Sequence, residues 1–194
     1  MSKQEVHNEP AAEPGSIRIQ NFYSGYEPPF DAYILVSRLI EAVSAKYLRG
    51  LDCIVLTNSS ALSHDRRRES TTARGRKFRV SDARGAYHHK RNNQPAWVEI
   101  FVDRIVQGSE RSLRWKIPLI REMIVGEVVY HELGHHVHEA LRPEFRERED
   151  VADDWSKRFL SLYLRRKYWY LLPVVYLLNL FLRVGRALRL VDQS

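Results

Sequence analysis

Cysteine is almost missing from this chain: Cys53 is the one thiol among 194 residues. That count excludes a disulfide framework, a zinc finger and a zinc ribbon, each of which needs several cysteines. Cys53 lies in an apolar stretch and reads as a core thiol, and the low count fits a reducing compartment. Near the start there is no hydrophobic run either. Residues 1–15 are polar, contain Pro10, Pro14 and Gly15, and offer no apolar centre for a secretory signal. They read as a flexible tail ahead of one domain spanning 16–167. Acidic residues are missing from Trp155 to Val191, and the longest apolar run there falls short of the roughly 20 residues that cross a bilayer. The expectation is a cytoplasmic protein, with peripheral membrane contact left open.

Against these absences stands a 44% hydrophobic share, enough for one domain of this length to bury about 70% of its unfolded surface. The chemistry gathers in His131-Glu132-Leu133-Gly134-His135, inside a segment from Pro118 to Arg142 that reads as one long helix. At about 100° per residue, His131 and His135 share a helical face and sit roughly 6 Å apart along the axis. Both imidazoles can therefore reach one tetrahedral metal ion. Glu132, one step round the helix, stays off the metal and beside its open position. There it can take a proton from a metal-bound water. An ordinary polar helix face is the competing reading. The apolar residues Ile124, Val125, Val128 and Val129 just before the motif argue against it.

A catalytic zinc needs a third protein ligand with water in the fourth position. The metzincin completion fails, because position 137 is Val and position 141 is Leu. His138 lies on the metal face but one turn further along the same straight helix, which makes it a rim residue; His136 points away. The better candidate follows Pro143, where Glu149 and Asp153 fall at i and i+4 near the start of a second helix carrying Trp155, Phe159, Leu162 and Tyr163. Glu149 can ligate, with Asp150 as its substitute, while Asp153 receives the outer N–H of a ligand histidine. An acidic first turn that complements the helix dipole would explain the same residues without a metal.

H-E-L-G-H followed by E-x-x-x-D on the next helix resembles the gluzincin metallopeptidases, above all the small minigluzincins and the catalytic core of the CAAX prenyl peptidases. The match covers residues 118–163. It implies His131, His135 and Glu149 as zinc ligands, Glu132 as the base and Asp153 as support, with one Zn2+ per chain. It also implies a peptide or protein substrate and an α+β, zincin-like domain. Such a domain has a backing helix, a small mixed sheet of about three strands, the HExxH helix and the ligand helix. Thirteen residues separate His135 from Glu149, a minimal connection for that group.

The rest of the chain reads in that frame. Asp31 can cap a helix running to Tyr47, stopped by Gly50, and Leu51–Thr57 reads as a buried strand. Residues 59–82 crowd Arg66, Arg67, Arg68, Arg74, Arg76, Lys77 and Arg79 among Ser, Thr and Gly. They read as a long exposed loop, either merely solvated or an arm for anions or nucleic acid. Gly85–Lys90 and Ala96–Val106 read as strands. As the resemblance implies, their edge would pair with extended substrate, with Tyr87, His88 and His89 along it, at least two of the three being plain surface residues. Residues 168–194 form an apolar, basic-flanked terminal helix. Its fifteen-residue apolar stretch, 168–182, would span about 22 Å, so it either docks on the domain or lies in an anionic membrane surface.

Two other functions stay open. One is a DNA-associated protease of the Spartan kind, motivated by the net charge of +7 and the arginine-rich segment. The other is a non-catalytic zinc-binding interaction protein, its site closed by His138 or Asp150.

Overall fold

In the computed structural model, residues 17–73, 76–91, 94–141, 149–171 and 173 are described. Over these residues the chain is a mixed α+β fold. Strand β1 (Arg18–Phe22) leads to helix α1 (Ala32–Glu41) and strand β2 (Leu51–Thr57). Helix α2 (His64–Arg68) and the hairpin β3 (Ser70–Ala73) and β4 (Arg76–Arg79) come next. Strands β5 (Gly85–His88) and β6 (Ala96–Phe101) precede α3 (Val102–Val106), α4 (Pro118–Leu141) and α5 (Glu149–Lys167).

The main sheet has the order β1-β2-β6-β5. The first three strands are parallel, and β5 runs antiparallel to β6 as an edge, with Gly85 opposite Ile100 and His88 opposite Trp97. The continuous apolar run of β2 suits a central strand covered on both faces; Ile54 and Leu56 are essentially inaccessible. Asp31 caps α1 as its sequence predicts, accepting from the Ile34 N–H at 2.8 Å. Leu35, Val36, Leu39 and Ile40 of α1 join Val98 and Ile100 of β6 in the core. Val125, Val129, Leu133 and Val137 of α4 meet them there, as do Phe159 and Tyr163 of α5. Tyr130, fully buried, donates its hydroxyl to the Leu39 carbonyl at 2.9 Å and so ties α4 to α1.

Four expectations change. The helix foreseen to Tyr47 ends at Glu41, because Ser44 turns to extended backbone. A short 3-10 turn then carries Tyr47 to Trp155 and Phe159, with ring centroids 5.1 and 5.4 Å away. The strand foreseen to Val106 ends at Phe101, and Val102, Ile105 and Val106 are buried at helical spacing; an unbroken apolar run does not distinguish the two periods. Residues 59–82 are not one loop. Leu62, Ala83 and Phe101 form a second small core with Val80 packed on it, and this anchors α2 and the hairpin. Finally β1, unforeseen, makes the sheet four-stranded. No helix among the described residues is long and apolar enough to cross a membrane. The tail 1–15 and most of 168–194 lie outside the described residues, so the question of docking against membrane contact falls there too.

Candidate metal centre

Pro118 opens α4, where a missing N–H costs nothing. Residues 132–138 of this helix are all buried, because α4 passes between the sheet and α5. What lets α5 come so close is Gly134. A Cβ built there would lie 2.7 Å from the Ala152 carbonyl oxygen and 2.8 Å from its Cα, both backbone atoms that cannot step aside. Ser156 reinforces the contact by donating to the Glu127 carbonyl at 2.9 Å. With the helices this close, the first turn of α5 lies against the His131 turn of α4.

The structure brings together His131, His135 and Glu149, with one ligand atom from each lying within 4.8 Å of the others. His131 Nε2 is 3.2 Å from His135 Nε2 and 3.4 Å from Glu149 Oε2. Two ligands about 2.05 Å from a tetrahedral ion stand about 3.3 Å apart, so both separations suit a shared ion. On the other side of the ring, His131 Nδ1 lies 3.0 Å from Asp153 Oδ1. With Nδ1–H donating to that carboxylate, the Nε2 lone pair faces the Glu149 side. Burial first, and His135 next, hold His131 below the ordinary histidine range, against the pull of Glu149 and Asp153. The neutral ring is the form that binds a metal. Two imidazoles and a carboxylate fit zinc as a donor set and also fit other divalent transition metals.

Glu132 is not in this group. It is 7% exposed and lies along the first residue of β5: a Cβ at Gly85 would sit 2.7 Å from both Cγ and Oε1 of Glu132. Gly85 is thus the space that Glu132 occupies. Asp150 and His138, the alternative ligands, also lie outside the group that the described residues form, though His138 is buried on α4. His136 points elsewhere, as expected: its Nδ1 lies 3.2 Å from the Tyr87 hydroxyl.

The edge residues are more engaged than foreseen. Tyr87 donates to Glu139 Oε2 at 2.6 Å, and His89 Nδ1 lies 2.8 Å from the same oxygen. His88 stacks on Trp97 at 3.8 Å and lies 3.1 Å from Glu99, a buried carboxylate that also takes Arg66 in a two-pronged pair. Sequence reasoning missed Glu99, Glu139 and the roles of Gly85 and Gly134. For Gly134 a signal was present, since a glycine inside a helix costs about 1 kcal/mol and asks for a packing reason. The carboxylates carried none. No protein-family model, curated protein or solved structure matches the chain.

Proposed function

We propose that the chain is a zinc-dependent metallopeptidase that hydrolyses peptide bonds within a zincin-like domain. The observation that carries this reading is the convergence of His131, His135 and Glu149 on one point, with Asp153 on the outer nitrogen of His131. Those three side chains would hold the ion, and Asp153 would orient one ligand ring. Zinc, when bound, supplies a Lewis acid that polarises the scissile carbonyl and acidifies water. Glu132 then has the general-base role: it accepts a proton from the attacking water and delivers it to the leaving amine. Its burial against Gly85 supports that role, because a carboxylate beside the start of an edge strand sits where an extended peptide added to β5 would pass.

The test pairs metal content with cleavage of an unstructured protein such as casein. Wild type is expected to hold one zinc per chain and to lose cleavage on chelation. Glu149→Ala is expected to lose the metal. Glu132→Gln is expected to keep the metal and lose about 10²–10⁴-fold in rate, the scale of general acid–base catalysis. Full activity in Glu132→Gln would rule out the mechanism, and full zinc in Glu149→Ala would rule out the ligand set.

A further inference from the structure

A concave feature lies away from the α4–α5 contact. It is an open basin of about 350 Å³, and four of its lining residues are Arg67, Arg68, Arg79 and Arg104. They arrive from three separate segments: α2, the end of β4, and α3. Sequence alone groups the first three, and the fold adds Arg104 from beyond β6. Bringing four guanidinium groups to one basin is unfavourable unless something anionic offsets them.

Among the described residues, one carboxylate, that of Asp103, lies within ion-pair distance of these four arginines. The consecutive arginines Arg66, Arg67 and Arg68 have three different fates. Arg66 turns inward to the buried Glu99. Arg67 is clamped by backbone, its Nε donating to the Leu62 carbonyl at 2.9 Å and its Nη2 to the Ser60 carbonyl. This fixes its guanidinium at the basin wall while leaving further N–H groups to donate. Arg68 and Arg79 pair with no carboxylate among the described residues, although Asp65, Glu69 and Asp82 stand nearby in the chain. Asp103, adjoining the basin, already accepts from both the N–H and the hydroxyl of Ser59. Arg104 lies 4.0 Å from that carboxylate through its buried Nε, which has no hydrogen-bond acceptor, while its Nη1 donates to Gln107 Oε1 at 3.1 Å and its Nη2 has no partner among the described residues. Ser81 also lines the basin, its hydroxyl donating to Asp82 Oδ1 at 3.4 Å.

We propose that this basin binds a phosphomonoester. Fork-shaped guanidinium donors converging from several directions suit a compact dianion with three acceptor oxygens. A nucleic-acid backbone carries its charges along a track and calls for an extended stripe of cations instead of one basin lined by four of them. The phosphate is carried either by a small metabolite or by a phosphorylated side chain, and the two sources share this recognition.

Calorimetric titration of the full chain, treated with chelator and held at constant ionic strength in chloride, tests the site. Inorganic phosphate is the first probe, and the expected result is one saturable site per chain. Arg68→Ala and Arg79→Ala should each weaken it about tenfold, the scale of one charge-assisted hydrogen bond, with thermal unfolding unchanged. A sugar phosphate and a phosphoserine tetrapeptide are then compared as competitors; whichever binds more tightly identifies the source. No saturable heat above the chloride control would overturn the proposal, as would wild-type affinity in both variants. A single-stranded oligonucleotide that binds where phosphate does not would replace it with a nucleic-acid surface.

Discussion

Helix α4 takes part in a carboxylate cluster at two places, and α5 meets it at both. At one, Glu122 is 1% exposed and is answered in full by its surroundings: Lys167 Nζ lies 2.5 Å from one oxygen, and the Tyr168 hydroxyl donates to the other at 2.9 Å. Tyr163, beside it, is pushed well above the ordinary tyrosine range by burial and by its hydrogen bond to Glu122. At the other, His131, His135 and Glu149 set nitrogen against nitrogen and against carboxylate. The first cluster is neutralised by protein cations and protein hydroxyls. The second gathers potential ligand atoms about a point and could hold a cation. The two clusters differ in their balance of donors and acceptors.

Breaking the first cluster should cost the most stability. Lys167→Met leaves Glu122 buried without its ammonium. The expected loss is about 2–3 kcal/mol in urea unfolding, below the range for a fully buried pair because Lys167 is 35% exposed. Metal content should not change, and a variant that lost metal as well would show the two clusters to be coupled.

Gly134→Ala acts on the second cluster through the helix contact alone. The new methyl meets the Ala152 backbone, so α5 must move outward and carry Glu149 with it. Overpacking, less the helix propensity gained, gives an expected cost of about 1–2 kcal/mol. Metal affinity should fall at least tenfold, measured by competition with a chromophoric chelator. Unchanged affinity would mean that Glu149 is not held by this contact.

The smallest effect belongs to Glu99. Burial pushes its carboxyl up, but His88 and Arg66 outweigh that and hold it below the ordinary range. A carboxyl depressed in the folded state contributes stability above its unfolded pKa, about 4.3, and loses that contribution as the pH falls through the folded value. Wild type should therefore lose stability below about pH 4.3. Glu99→Gln should flatten that part of the curve, read from unfolding midpoints across pH. An unchanged acid limb would dismiss the assignment.

The α4 motif was legible because its chemistry demands fixed spacing on one helix, and the same geometry announced Glu149 and Asp153 on the next. The Asp31 cap and the start at Pro118 were legible for an equally local reason. What escaped was decided by distant partners. Arg66 and Glu99 are 33 residues apart and Tyr87 and Glu139 are 52 apart, and neither pair leaves a periodic trace. Residues 59–82 looked like a loop because the second small core that orders them takes Phe101 from the main sheet.

Among the described residues strand β5 has only β6 beside it in the sheet, yet Tyr87 and His89 both reach Glu139 on α4. An edge strand ordinarily frays alone. Here, peeling it away means parting from the C-terminal turns of α4 as well, so strand and helix end open as one cooperative unit. The edge of the sheet is then as persistent as the end of the helix beside it.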